Sequence, residues 1–440
     1  MSQLQEWSLQ PGSARGNPSH EENFQPGSAR GNPSQELSLA DADVQQCPDA
    51  YHGALRERPV HFDERLGFFV CGRYALMREV LRDTETFSSI DSQSVDGLRP
   101  PPPEAIEIRK TCHPVVNTLV TNDPPSHTRI RKMVDAPFRA RSLDKLKSRI
   151  EDIAHGAIDE FIGEEGTCEM VSRFAVPIPV RVIADMLGLD PTLAPRIKAW
   201  SDASVDPLGM MVSDQRLIEC AMLIKEFQDF IVKALEARRA QPQDDLLTHL
   251  VQARDAQGEG FTMAEMLSLT QQLLVAGNET TTNGIAAGVR LLAEQPTLLQ
   301  AIRRQPSLAL IFVNEVLRLE SPVQGLFRVV RKDTELGGVH LPKGARIMLR
   351  FAAANRDGRK YANPERIDLH RANAGTHVAF GAGIHHCIGA GLARMEMREA
   401  FTALAQRLRR LELAPGNDFA HHPSMILRGL QALRVTFERA

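Results

Sequence analysis

The densest group of reactive side chains in the chain is the run Phe380-Gly381-Ala382-Gly383-Ile384-His385-His386-Cys387-Ile388-Gly389. Gly381 and Gly383 let the backbone turn tightly and approach a flat ligand, and Gly389 opens a helix with no side chain in the way. A cysteine at the start of that helix is favoured as thiolate by the helix dipole and nearby amide donors. Two plainer readings stand beside this one: a buried structural cysteine, or part of a zinc site. Zinc asks for further ligands at usable spacing, and no neighbouring Cys or His pair supplies them.

Three other segments carry residues that can do chemistry. Ala276-Gly277-Asn278-Glu279-Thr280-Thr281 sits in the middle of a long helical stretch. Gly277 weakens the helix, a threonine hydroxyl can take over a backbone carbonyl, and a local widening is expected. An acid beside an alcohol can relay protons, although the tetrad alone is a weak signal. Glu315-Val316-Leu317-Arg318 places a carboxylate and a guanidinium three apart on one helical face. That signal is also poor in isolation, since EVLR recurs at Glu79–Arg82 and Glu236–Arg239 has the same spacing. Asp123-Pro124-Pro125-Ser126-His127-Thr128-Arg129-Ile130-Arg131 starts a helix and puts His127 and Arg131 four apart on one face.

The cysteine run resembles the haem-binding signature of the cytochrome P450 family, Phe-Gly-x-Gly-x-His-x-Cys-x-Gly, at all six specified positions. At average residue frequencies such a match arises by chance on the order of once in a million. The resemblance extends from about Ala50 to the C-terminus. It implies a mainly α fold with small β-sheets in a single haem-binding domain, with Cys387 as the thiolate ligand of the iron of haem b. Phe380, Gly381 and Gly389 then frame the haem, and His127, Arg131, Arg328 and His385 match the family's propionate ligands. Glu279 and Thr280 match its acid-alcohol pair against dioxygen. Glu315 and Arg318 match its structural Glu-x-x-Arg, with Arg366 of Pro364-Glu365-Arg366-Ile367 as the third member; the family more often has Phe where Ile367 stands.

The implied activity is a monooxygenase that hydroxylates or epoxidises a lipophilic small molecule with O2 and NAD(P)H-derived electrons. The thiolate favours heterolytic O–O cleavage. On the long helix Gln272, Ala276 and Thr280 share a face with Val275 at its flank. Gln324, Phe327, Ile426 and Leu427 match substrate-facing stretches of the family, and each is also compatible with plain core. Two rival readings are a peroxide-driven peroxygenase and a non-catalytic haem-thiolate sensor.

The elements that must position these residues follow from periodicity. Residues 1–40, where QPGSARGNPS occurs at 10–19 and again at 25–34, read as a disordered tail ahead of a domain over 41–440. Pro59–Phe62 and Gly67–Val70 read as strands and Arg73–Asp83 as a helix, while 86–122, with prolines from Pro100 to Pro103, reads as an irregular loop roofing the site. Residues 126–320 follow helical spacing. Thr262-Met263-Ala264-Glu265 is a capping box that opens a helix reaching Glu294 before Pro296. Phe327–Val330 and Ile347–Phe351 read as strands, a last long helix starts near Ile388, and a hairpin around Gly429 closes the chain.

A formal net charge of −3 gives no basic excess that would point to nucleic acid or an anionic membrane. The six cysteines are scattered singly, as in a reducing cytoplasm. With no export signal or apolar run of ~18 residues, a cytoplasmic monomer without a membrane anchor is expected. No flavin or iron-sulfur segment is visible, so the electrons are expected from a separate ferredoxin and ferredoxin reductase. Arg129, Lys132, Arg139 and Arg394 are the candidate docking cations.

Overall fold

The capping box forms as its spacing predicts. The Thr262 side chain accepts from the Glu265 amide, the Glu265 carboxylate accepts from the Thr262 amide, and the helix Met263–Glu294 runs unbroken behind them. Twenty of its residues are buried, from Met266 to Ala293, so this helix is the axis on which the other elements pack. Gly288 lets the cysteine-loop helix Ala390–Arg407 cross closely, because a methyl group there would run into the Phe401 ring. Phe401 in turn stacks edge-on against Phe312 of the helix Leu308–Glu320, with ring centres 5.0 Å apart. Gly277 does not widen the helix, which stays α-helical throughout, although the Thr280 hydroxyl does donate to the Ala276 carbonyl at 2.8 Å.

The computed structural model describes residues 37–94, 96–163 and 166–440. Most of the described chain is helical, and one of the small sheets, of three strands, packs its Leu408, Leu411, Val435 and Phe437 into the core of the helical body. The five-stranded sheet runs Val60–Asp63, Phe68–Cys71, Arg346–Leu349, Leu326–Val330, Phe87–Ser88 in spatial order. Its first two strands form a hairpin with Val60 opposite Cys71, turned through Gly67 at φ 71. A three-stranded sheet joins Thr167–Glu169, Arg434–Arg439 and Leu408–Leu413.

Several boundaries differ from the sequence expectation. Segment 86–122 is no plain loop: it contains the strand Phe87–Ser88 and the helix Pro103–Lys110, in which the last proline of the run takes the first helical position, where its missing N–H costs nothing. The strand expected over 347–351 stops at Leu349, and Phe351–Ala354 is a helical turn. The last long helix starts at Ala390. Near Gly429 the pairing is confined to the isolated bridges Val323–Leu427 and His421–Leu430, and the terminal strand pairs instead with Leu408–Leu413. The duplicated decapeptide lies outside the described residues. At the other end of the expected tail Leu39 is fully buried and the Ser38 hydroxyl donates to Asp63, so packed structure already includes these residues. Among the described residues no helix is long and apolar enough to cross a membrane.

Candidate active site

The cysteine loop is held by its own backbone. Gly381 N–H donates to Val378 O at 2.8 Å and Cys387 N–H to Phe380 O at 2.9 Å, which folds the run back on itself. Gly381 and Gly383 have φ of 65 and 70, and a methyl on Gly383 would strike the Leu81 carbonyl. Arg131 donates to His386 O at 2.9 Å, and Arg394 stacks over the Phe380 ring at 4.5 Å. Burial pushes the Cys387 thiol up, while the Gly389 amide and the charges of Arg131 and Arg394 pull the other way. A metal ion on the sulfur would favour the thiolate outright.

Cys387 opens on a cavity that it shares with Phe380, Gly381, Gly389, Arg131, Arg328 and His385, and on its far wall with Gln272, Ala276 and Thr280. His127 lies beside this group, its ring 4.4 Å from that of His385, and neither of its nitrogens has a hydrogen-bond partner among the described residues. Arg328 is 3% exposed and donates to Phe327 O, with no carboxylate in pairing distance among the described residues; burial brings it down to about 10. An unpaired buried guanidinium and an orphaned imidazole cost free energy unless an anion completes them. Nothing stands within 4 Å of where a Gly389 side chain would be. A flat macrocycle with two carboxylates fits this donor set.

Glu279 and Thr280 are neighbours in sequence but face different spaces. Thr280 lines the cysteine cavity, whereas Glu279 lines a polar cavity on the other side of the long helix with Lys198, Asp202 and His422. The Glu279 carboxylate accepts from Ser201 Oγ at 3.0 Å and lies 3.3 Å from Lys198 Nζ. Burial outweighs the Lys198 ammonium, which is also paired with Asp202, and the Glu279 carboxyl is pushed up to about 7.

The expected substrate residues divide. Gln272 and Ala276 line the cysteine cavity; Val275, Phe327 and Ile426 do not. Phe327 packs edge-on against Phe68 at 4.9 Å, and its neighbour Leu326 faces the cavity, the alternation of a strand read one residue out of phase. Gln324 turns away to Arg350 at 3.0 Å while Val323 lines the cavity, and Leu427 faces the Glu279 space. The lining residues that sequence reasoning missed, Leu81, Phe138 and Ile183 among them, carry no motif; only the fold brings them in. Leu119 and Val120 come from the expected roof, and Val120 N–H donates to Gln272 Oε1 at 3.4 Å.

The buried ion network forms with one exchange of partner. Arg318 pairs with Glu315 through Nε and Nη2, at 2.7 and 2.9 Å, and both side chains are fully buried. The third charged member is Arg371, whose Nε donates to Glu315 Oε2 at 2.9 Å. Arg366 is exposed and contributes only its carbonyl, which accepts from Arg318 and Arg371. Of the docking cations, Arg129 is committed to Asp255 and Glu265 at 2.7 and 2.8 Å.

A mainly helical body, a glycine-framed cysteine and orphaned donors for two carboxylates define a haem-thiolate protein. The cytochrome P450 family profile matches residues 200–306 and 308–432. Cytochrome P450 107B1 of Saccharopolyspora erythraea is 36% identical over 72% of this chain and 76% of its own length. The 6-deoxyerythronolide B hydroxylase of the same organism is 34% identical over 72% and 77%. Among solved structures, CYP109Q5 from Chondromyces apiculatus superposes with a TM-score of 0.81 at 33% identity, over 92% of this chain and 98% of that one. CYP109E1 from Bacillus megaterium, solved with corticosterone, gives 0.77 at 28% identity over 90% and 99%. The chain belongs to the cytochrome P450 family and is a haem-thiolate monooxygenase of the bacterial type.

Proposed function

We propose that the chain inserts one oxygen atom of O2 into a lipophilic small molecule, as a hydroxylation or epoxidation, with electrons carried from NAD(P)H by a separate ferredoxin and its reductase in the cytoplasm. The observation that carries this reading is the pairing across one apolar cavity of Cys387 with Thr280, backed through the helix by a carboxyl that titrates near neutrality. Haem bound on Cys387 supplies the oxidising chemistry. The protein residues supply the rest. His127, Arg131, Arg328 and His385 would hold the haem propionates. Glu279 takes protons from the polar cavity, and Thr280 Oγ1, released from the Ala276 carbonyl, hands them to the oxygen side. Leu119, Val120, Ile183 and Leu326 exclude water and hold the substrate.

Bulky lipophilic substrates are the class this cavity suits. One relative is named as a hydroxylase of 6-deoxyerythronolide B, and the CYP109E1 structure holds corticosterone. Gln272 is the polar member of the substrate wall, and its amide N–H groups are available to a substrate oxygen. Gln272→Leu should then weaken binding of an oxygenated substrate without changing that of its deoxy analogue; equal affinities remove this role. The acid-alcohol pair favours dioxygen over peroxide as the oxidant. Turnover with NAD(P)H, ferredoxin and reductase, set against turnover with peroxide alone, tests the whole reading: product only with peroxide overturns it.

A further inference from the structure

A third cavity, of about 570 Å³, lies apart from the two beside the long helix and is lined by His52, His421, Arg290, Arg356 and Arg428 together with Glu320 and Gln324. It shares a wall with the active site: Leu319, Glu320 and Gln324 face this cavity, and Pro322, Val323 and Leu326 of the same segment face the cysteine cavity. Two of its lining side chains have a buried ring nitrogen without a hydrogen-bond partner among the described residues, His52 Nδ1 and His421 Nδ1. His52 is 2% exposed and His421 6%.

The protonation of His52 follows from its neighbour. Arg350 Nε lies 3.2 Å from His52 Nε2, and a guanidinium only donates, so Nε2 accepts. Burial and the surrounding arginines keep the ring neutral. Its one proton is therefore on Nδ1, an N–H donor without an acceptor, which the interior does not leave unsatisfied without cost.

The charges on the cavity lining balance in number, Arg290, Arg356 and Arg428 against Asp49, Glu320 and Asp418, but the pairing leaves one arginine out. Arg290 is paired with Glu320 at 2.9 Å and with Glu294 at 3.6 Å, and Arg356 with Asp49 and Glu365 at 2.5 and 3.0 Å. Arg350, fully buried behind His52, hydrogen-bonds among the described residues to His52, the Met425 carbonyl and Gln324. Arg428 donates to the Gln45 and Gln46 carbonyls and makes no ion pair among the described residues, which leaves three of its five N–H donors. The remaining carboxylate on the lining, Asp418, is exposed to solvent. One guanidinium without a carboxylate, that of Arg428, and one orphaned N–H, that of His52, thus face a space large enough for a small metabolite.

We propose that this cavity is a second ligand site, which binds a small oxyanionic compound through a phosphate or carboxylate group accepting from His52 Nδ1 and the Arg428 guanidinium. Binding needs no covalent step and is separate from haem. The test uses the haem-loaded protein with inorganic phosphate and succinate as probes, at ionic strength held constant with chloride. Calorimetry should give saturable binding near one equivalent, and thermal unfolding a saturable rise in Tm, for at least one probe; the stronger probe identifies the recognised group. Arg428→Gln should weaken that binding by roughly tenfold or more, and His52→Phe should do the same, with the ferrous carbonyl spectrum unchanged in both. No saturable heat with either probe, or undiminished binding to Arg428→Gln, overturns the proposal.

Discussion

Glu279 and Thr280 differ by one position and by one face of the helix, and that difference divides their roles. Thr280 touches the reacting space, so Thr280→Ala should leave substrate binding intact and divert reduced oxygen to hydrogen peroxide, with the peroxide-to-product ratio rising at least severalfold. In the proposed relay Glu279 works one step back, from the polar cavity. Its carboxyl, raised from 4.5 to about 7 by burial, still carries a proton in the range where an ordinary glutamate has lost it. Turnover that depends on this proton should fall as pH rises through about 7, and Glu279→Gln should flatten the profile and lower kcat by about 10- to 100-fold. A mutant profile that still falls near 7 removes Glu279 from the relay. The same shift acts on stability with a definite sign. Between 4.5 and about 7 the folded state retains a proton that the unfolded chain releases, so stability falls as pH rises through that window. Glu279→Gln should lose that part of the fall in a denaturant series at pH 5 and pH 8.

At the scale of elements, the helix Leu308–Glu320 is tied to the loop that leads into the cysteine run by the Glu315, Arg318 and Arg371 network, all of it buried. Arg371→Leu leaves Glu315 paired with Arg318 but takes away one of its donors and those of the Ala362 and Asn363 carbonyls. It should lower stability by about 1–3 kcal/mol, while Arg366→Leu, which keeps the carbonyl, should stay within about 0.5 kcal/mol, as surface changes do. Comparable losses in urea unfolding would return Arg366 to the network. The sequence showed a guanidinium near Glu315, but two arginines stand five apart on an irregular segment, where no period says which one turns inward. Regular elements were far more legible. The helix Met263–Glu294 shows both ends, because its cap and its Pro296 stop are local chemistry. The cysteine run was legible for the same reason, since its glycine turns need only neighbouring residues. Phe327 was not, because facing in or out of a strand depends on a register set by Leu349 and Met348 across the sheet. The close crossing at Gly288 was equally invisible; Gly288→Ala should cost about 1–3 kcal/mol as overpacking against Phe401.

For the molecule as a whole, the proposed ferredoxin dependence turns on charge at the place where electrons would enter. A net charge of −3 on 440 residues steers no acidic partner by itself. At ~0.1 M salt the screening length is roughly 10 Å, so attraction must come from cations close to the cysteine loop. The helix Ser126–Val134 supplies them: Arg131 reaches the His386 carbonyl, and the adjacent Lys132 is exposed. Arg139 is exposed one turn beyond, in a weak pair with Asp135. Arg129, on the same helix, is spent on Asp255 and Glu265 and stacks near Phe261, so its charge is already neutralised and its work is to hold the segment before the long helix. Lys132→Glu combined with Arg139→Glu should therefore raise the KM for an acidic ferredoxin severalfold, leave kcat at saturating ferredoxin within about twofold, and flatten the decline of the reduction rate with salt. Arg129→Ala should lower Tm and leave the salt dependence as it is. Stopped-flow reduction of the substrate-bound protein across an ionic-strength series separates the two, and a wild-type salt dependence in the double charge reversal would move the electron entrance to another face.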